Sequence, residues 1–203
     1  MAYYPIAIDL KDKPCLIVGG GEVALRKAQA LLEVGARVTV IAPAVVSELA
    51  DLGVNVLTRH YEAGDVEGYA LVFAATGDRA VNSAVSREAV EQGVLVNVVD
   101  DPDLCAFIVP SVVRRGELIL AITTSGKSPA LSKKIRREIE SIYGPEYGEL
   151  VELMGELRDE VKAKYASQDD REAAFNRLLD CGILELVKEG KRVEALERAR
   201  QCI

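Results

Sequence analysis

Short apolar runs alternate with helical patterns over the first half of the 203-residue chain. The apolar runs predict strands at Cys15–Val18, Arg37–Ile41, Val54–Thr58, Ala70–Ala75 and Val94–Val99. Apolar residues three and four positions apart predict a helix over Glu22–Val34, and a second helix ends near Gln92, before Gly93. Apolar strands without polar alternation are typical of a parallel sheet that is buried on both faces. The pattern therefore predicts an α/β fold with a Rossmann-type parallel sheet.

The arrangement changes near residue 107. Two further runs, Phe107–Arg114 and Glu117–Thr123, predict a pair of antiparallel strands. An amphipathic helix follows, with Ser128 as its N-cap and Pro129 at its first position. Beyond Tyr143 the spacing of apolar residues is helical. We therefore predict three parts: a Rossmann domain over 1–113, a small α+β unit over 114–145 and a C-terminal helical domain over 146–203.

A glycine motif lies between the first predicted strand and the first predicted helix. Gly19, Gly21 and Ala24 fit the pattern G-x-G-x-x-[GA]. The first glycine permits a tight turn, the second lets a pyrophosphate approach the backbone, and the small third residue lets helix and strand pack closely. The helix N-terminus then offers unpaired N–H groups to phosphate. The motif predicts a dinucleotide site.

The segment after the second strand bears on the choice of cofactor. Many NAD-binding folds place an acidic residue here to hold the ribose, but the chain has Pro43 and Ala44, and its next acid is Glu48. We expect backbone groups and packing against Pro43 and Ala44 to hold the ribose unless Glu48 folds back. No arginine directly follows the strand to bind a 2′-phosphate, which favours NAD over NADP.

Two polar residues directly follow buried strands. Thr76 comes after the fourth predicted strand and Asp100 after the fifth. Ligands of open α/β sheets bind beyond the carboxyl ends of the strands, so both residues should face the same crevice as Gly19. Asp101 precedes a proline, and we interpret it as part of a turn. The chain's single histidine, His60, has no second histidine nearby, and we interpret it as structural.

Composition and charge narrow the function further. The chain is 49% hydrophobic and carries a net charge of −7. It has no apolar stretch as long as a membrane span and does not begin like a signal peptide. We therefore expect a cytoplasmic protein that binds neither membranes nor nucleic acid. The four cysteines form no C-x-x-C pair, so we expect reduced thiols and no metal site.

Basic residues concentrate between Ser111 and Arg137, where seven lysines and arginines accompany one acid. Such a stretch is either a solvated helix face or a surface that receives an anionic small molecule. The hydroxyl-rich segment 124–128 leads into a helix N-terminus beside it, which is a second potential anion site.

Three motifs in this order resemble the precorrin-2 dehydrogenase family, the dehydrogenase and ferrochelatase portion of siroheme synthases. They are LIVGGGEVALRKA over 16–28, NVVDDPDLCAFIVPS over 97–111 and TTSGKSPAL over 123–131. The resemblance covers nearly the whole chain and weakens after Tyr143. We expect no counterpart here of the methyltransferase domain that is fused to some relatives.

The resemblance implies NAD-dependent oxidation of precorrin-2 to sirohydrochlorin, with insertion of ferrous iron in some members. It implies Asp100 as the catalytic carboxylate, and contacts with NAD at Glu22, Val23, Pro43 and Ala44. It also implies a homodimer in which the 114–145 unit exchanges contacts between subunits. Precorrin-2 carries several carboxylates around an apolar ring, and the basic stretch would supply the counter-charge. The candidate substrate-binding residues are Asn97, Arg114, Thr124, Ser125 and Lys127.

Three other functions are compatible with the residues. The chain could be a dehydrogenase for another small acid, or an NAD-sensing module without catalysis in which Asp100 is dispensable. Iron insertion could also be the main activity, because it needs a base for pyrrole N–H protons but not necessarily a protein metal site.

Overall fold

The structure is a computed structural model that describes residues 3–203. It divides into two compact units, of which the first ends at Val109 and the second begins at Pro110. The three-part division drawn from the sequence, with bounds at 113 and 145, stays a prediction.

The first unit is built on a parallel sheet. Within residues 3–109, its strands are β1 Pro14–Val18, β2 Arg37–Ile41, β3 Asn55–Leu57, β4 Leu71–Ala74 and β5 Leu95–Val98. They pair in the order β3-β2-β1-β4-β5. The helices of this unit are α1 Glu22–Leu32, α2 Ser47–Ala50 and α3 Arg79–Gln92. The predicted Rossmann-type parallel sheet is confirmed, because α1 and α3 each connect two parallel strands.

The register of the strands sets the position of the loops. Val18 pairs with Ile41 on one side and with Ala74 on the other, and Ala74 pairs with Val98. The ends of these four strands are therefore level. The segments that follow them lie along one edge of the sheet: 19–21, 42–46, 75–78 and 99–101.

The strands are buried on both faces, which explains their lack of polar alternation. Leu16 and Ile17 are both fully buried and point to opposite sides. Ile17 packs in one apolar cluster with Ala24 of α1, and Leu16 packs in the other with Val85 of α3. The two helices therefore cover the two faces of the sheet.

One strand prediction is wrong at its start. The strand expected over Phe107–Arg114 begins only at Ser111. Phe107 instead packs edge-on against Phe73, with 5.7 Å between the ring centroids, and its carbonyl accepts a hydrogen bond of 3.0 Å from Nδ2 of Asn97. That carbonyl is bonded to a side chain, and a proline at position 110 has no N–H to donate to a strand neighbour.

The second unit begins with a hairpin. Strands β6 Ser111–Arg115 and β7 Leu118–Ile122 are antiparallel, as predicted, and helix α4 Pro129–Ile142 follows them. Ser128 caps this helix as predicted, because its hydroxyl accepts a hydrogen bond of 3.3 Å from the Leu131 N–H.

The rest of the second unit is helical, as its apolar spacing predicts. Its helices are α5 Glu146–Glu156, α6 Arg158–Lys164, α7 Gln168–Asp180, α8 Ile183–Lys188 and α9 Arg192–Cys202. Leu153, Leu157, Leu178 and Ile183 are fully buried in one shared core. Among the described helices, none has the length and apolar character that crossing a bilayer requires.

Candidate functional site

The glycine turn after β1 fits against its neighbours only because it lacks side chains. Gly19 has φ +129°, and a β-carbon there would collide with the carbonyl of Ala75. A β-carbon on Gly20 would collide with the carbonyl of Ala44. The turn is held by two backbone hydrogen bonds, from Gly19 N–H to Ile41 O at 2.9 Å and from Val46 N–H to Gly20 O at 2.8 Å. The glycines therefore bring three strand ends into direct contact.

Gly21 has a different surrounding. It is the N-cap of α1 with φ −92°, and a β-carbon at this position would meet no atom within 4 Å. No side chain caps the helix, and the N–H groups of its first turn, which includes Glu22 and Val23, have no acceptor within the helix. Open space beside free N–H groups at the positive end of a helix fits a pyrophosphate. The turn therefore meets the requirements of a dinucleotide phosphate site.

The segment after β2 lies against this turn. Pro43 and Ala44 are exposed, and the contacts of Ala44 and Val46 with Gly20 place this segment beside the glycine turn. Glu48 accepts a hydrogen bond of 2.9 Å from the Ser47 hydroxyl in the first turn of α2. Its own backbone N–H and Ser47 lower the pKa of the Glu48 carboxyl. Glu48 is thus a charged group of α2, and the packing of a ribose against Pro43 and Ala44 stays a prediction.

Thr76, after β4, is tied to α3. Its N–H and its hydroxyl reach Oδ1 of Asn82 at 3.2 and 2.7 Å, and Nδ2 of Asn82 donates to Thr76 O at 3.0 Å. The Asp78 N–H donates to the Thr76 hydroxyl at 3.1 Å. The backbone of Thr76 also lies against Gly19. The backbone of Thr76 therefore packs against the glycine turn, and a direct contact of Thr76 with a cofactor stays a prediction.

Asp100 lies at the same edge of the sheet. The Val99 N–H donates to Ala74 O at 3.0 Å, which continues the β4–β5 pairing to the turn. Asp100 itself has φ +60° and an exposed side chain. Since β4 separates β5 from β1, Asp100 follows a strand that is two strand spacings, or about 10 Å, from the glycine turn. Within residues 3–203, no hydrogen bond or ion pair holds its carboxylate.

The backbone of Asp100 is in the left-handed region, which costs a non-glycine residue about 1–3 kcal/mol unless its surroundings fix it. Aspartate adopts this region more readily than most residues. The adjacent Asp101 is fixed by Arg79 of α3, with Nη2 and Oδ2 at 3.2 Å. This pair fits the interpretation of Asp101 as a turn residue. Arg79 and the buried Asn82 were not singled out from the sequence, where a polar residue in a helix is an ordinary pattern.

Asn97 of β5 has its amide engaged within the first unit. Its Nδ2 donates to Phe107 O at 3.0 Å and lies 3.5 Å from the Cys105 sulfur. These contacts connect the sheet to the chain that returns after the Asp100 turn. A contact of Asn97 with substrate stays a prediction.

The other candidate substrate-binding residues lie in the second unit. Arg114 is exposed on β6, and Ser125 and Lys127 are exposed on the loop before α4. Thr124 Oγ1 accepts from the Ser128 N–H at 3.0 Å and lies 3.2 Å from the Ser132 hydroxyl, which fixes the loop. Hydroxyl and ammonium groups are thus collected at the N-terminus of α4.

Family models cover most of the chain in three consecutive segments. A model described as "Putative NAD(P)-binding" matches residues 6–111. One described as "Sirohaem biosynthesis protein central" matches 115–142, and one described as "Sirohaem synthase dimerisation region" matches 146–203.

Individual proteins that resemble this chain agree with the sirohaem family models. A siroheme synthase of Methylococcus capsulatus is 45% identical over 96% of this chain and 42% of its own length. One of Vesicomyosocius okutanii is 42% identical over 96% of this chain and 43% of its own length. The chain thus spans about two fifths of the length of these relatives.

A solved structure, "SirC, precorrin-2 dehydrogenase", matches with a TM-score of 0.78 and 29% identity over 98% of this chain and 100% of that one. Fold, glycine turn and sequence motifs agree with these matches. The chain therefore belongs to the family described as "Putative NAD(P)-binding", and it is similar to siroheme synthases and to a precorrin-2 dehydrogenase, as its motifs predict.

Proposed function

We propose that this chain catalyses the NAD-dependent oxidation of precorrin-2 to sirohydrochlorin. The observation that carries the proposal is the match with a precorrin-2 dehydrogenase over 98% of this chain and 100% of that one. Two features at the same edge of the sheet support it: the open space beside Gly21, and the Asp100 carboxylate, which has no hydrogen bond or ion pair within residues 3–203.

The residues of the first unit fit NAD. Gly19 and Gly21 let the pyrophosphate approach, and the N–H groups of Glu22 and Val23 bind it. The 43–46 segment packs against the adjacent ribose, with Pro43 and Ala44 at the surface, and Thr76 supports the turn from below. No arginine directly follows β2, which favours NAD over NADP.

The reaction removes a hydride and a proton from the tetrapyrrole. NAD, when bound, supplies the hydride acceptor. The Asp100 carboxylate accepts the proton as general base. This role needs a carboxylate oxygen without a hydrogen-bond partner, and among the described residues nothing bonds to the side chain of Asp100. Turns usually have glycine at a residue with positive φ, so the Asp100 turn presents a carboxylate at a position where most turns have no side chain.

The substrate's carboxylates need cations and N–H donors. In this proposal Arg114, Lys127 and the N-terminus of α4 bind them, together with the hydroxyls of Thr124 and Ser125. Asn97 belongs to the same proposed set. An otherwise acidic protein would repel such a substrate, so removal of these cations should raise KM for precorrin-2 more than it lowers kcat.

A homodimer in the cytoplasm is part of the proposal. The family model over 146–203 is described as a dimerisation region. Exposed apolar side chains on the hairpin and on α4 also suit an interface: Val112, Ile119, Leu131 and Ile142.

The test is an assay in which purified protein is incubated with precorrin-2 and NAD and the formation of NADH is monitored by its absorbance. Turnover that requires both supports the proposal. Binding of NAD without turnover would favour a sensing module, and turnover with another small acid but not with precorrin-2 would favour a different dehydrogenase. Either outcome would overturn the proposal.

Iron insertion is a second candidate activity, because relatives named siroheme synthase align with 96% of this chain. Asp100 could then take pyrrole N–H protons while ferrous iron enters as a substrate. Sirohydrochlorin and ferrous iron, with and without protein, test this activity against the spontaneous rate. If the protein does not raise the rate of iron insertion above the spontaneous rate, it lacks this second activity.

A further inference from the structure

We propose that Cys105 is a positioning residue whose thiol holds the turn that presents Asp100. This inference rests on the function proposed above, in which Asp100 acts as the base. Cys105 lies outside the strands and helices, directly after the short 3₁₀ turn Pro102–Leu104.

The thiol bonds to the chain on both sides of Asp100. Before it, the Val98 N–H donates to the Cys105 sulfur at 3.2 Å, and the sulfur lies 3.2 Å from Val98 O. After it, the sulfur lies 3.3 Å from Asp101 O. The single S–H proton serves one of these two carbonyls at a time, while the lone pairs accept from the N–H. One side chain thus joins the two ends of the Asp100 turn.

The partners of the thiol are themselves fixed. Val98 is the last residue of β5, and Asp101 is paired with Arg79 of α3. The segment that carries Cys105 is anchored as well, because the Ser86 hydroxyl of α3 donates to Leu104 O at 2.8 Å. The thiol therefore joins the sheet to the turn where the backbone of Asp100 adopts φ +60°, and Arg79 and Ser86 tie the same segment to α3.

The thiol stays protonated at neutral pH, which preserves its donor. Burial is the main influence on Cys105 and raises the pKa of its thiol, while the Val98 N–H opposes this shift. A serine hydroxyl could replace the thiol, because it also donates one hydrogen bond and accepts others. An alanine methyl group could not. This contrast distinguishes bracing by hydrogen bonds from simple filling of space.

The experiment measures kcat and the KM for NAD with precorrin-2 as substrate. Cys105→Ala should lower kcat about 10- to 100-fold, because a displacement of the catalytic base by about 1 Å reduces the rate by this factor. The KM for NAD should change less than about twofold, since the glycine turn belongs to a different strand. Cys105→Ser should restore most of kcat. Cys181→Ala is the matched control: its thiol is also half-buried and lies 3.2 Å from a carbonyl, that of Leu178, in the helical region.

A second background tests whether Cys105 acts through Asp100. In Asp100→Asn protein, Cys105→Ala should cause no further loss of the residual kcat. An equal fold-loss in both backgrounds would show general damage and overturn the proposal. So would wild-type kcat in Cys105→Ala, or a Cys105→Ser variant as slow as Cys105→Ala.

Hydrogen exchange provides a readout that does not depend on turnover. Amides of residues 98–105 should exchange faster in Cys105→Ala than in wild type or Cys181→Ala. Unchanged exchange would overturn the inference whatever the substrate is. If the wild-type protein does not turn over precorrin-2 but Cys105→Ala still exchanges faster than wild type, the proposed function is wrong and the structural role of Cys105 stands.

Discussion

The glycine turn after β1 and the Asp100 turn after β5 share one edge of the sheet but are built in opposite ways. At Gly19 and Gly20 the chain fits its neighbours because no side chain is present. At Asp100 a side chain is presented from an unfavourable backbone conformation, and the side chains of Cys105 and Arg79 hold the residues around it.

The difference follows from the chemical group that each turn presents to a ligand. A phosphate is bound by backbone N–H groups, so the chain must come close and side chains are an obstacle. A general base must be a side chain, so its backbone has to be held from outside. Substitutions should therefore damage the first turn by collision and the second by loss of hydrogen bonds.

Asp100→Asn should have the largest effect. Asparagine tolerates the left-handed backbone, so the fold and NAD binding should persist, while kcat should fall about 10²- to 10⁴-fold because the proton acceptor is lost. Steady-state kinetics and NAD titration measure this. Asp103→Asn is the control, as it removes a nearby exposed carboxylate. Near-normal kcat in the Asp100 variant would remove this residue from the mechanism.

Gly19→Ala should be the most damaging change to the glycine turn. The new β-carbon would collide with the Ala75 carbonyl at a φ of +129°, so we expect a loss of about 3 kcal/mol or more in the free energy of unfolding. Chemical denaturation measures it. An unfolding midpoint equal to that of wild type would contradict the steric account.

Gly21→Ala should separate binding from folding at the same turn. The added methyl meets no protein atom within 4 Å, so stability should stay close to wild type. The methyl would enter the space assigned to the pyrophosphate, and NAD affinity should fall about tenfold or more, equivalent to about 1.4 kcal/mol. Calorimetric titration with NAD tests this against thermal unfolding. Undiminished affinity would place the phosphates elsewhere.

Arg79→Ala should have the smallest effect. The arginine side chain is 86% exposed, so its ion pair with Asp101 contributes less than about 1 kcal/mol to stability. Because this pair supports the Asp100 turn, kcat should still fall about two- to threefold. Lys191→Ala, which removes an exposed ion pair with Glu189 in the helical region, should leave kcat unchanged. Equal kinetics of the two variants would show that Arg79 does not support the turn.

Much of this arrangement is predictable from the sequence because it depends on local patterns. The strand and helix on either side of the glycine motif, the apolar strands of the sheet and the Ser128 cap each reflect the residues themselves, and each is confirmed. The start of β6 was mispredicted because Phe107 has the composition of a strand residue. Its carbonyl is bound by Asn97, ten positions earlier, and no local pattern reports such a contact.

The two turns mark the same limit. Periodicity and glycine spacing are properties of neighbouring residues, so the linear order of residues suffices to predict a dinucleotide fold and to place Asp100 after a buried strand. The folded chain is needed to see that Gly19 and Gly20 face carbonyls while Gly21 faces open space, and that the thiol of Cys105 spans the Asp100 turn. The physical reason is that such contacts depend on strand order and register, which bring distant segments together through packing that the linear pattern does not specify.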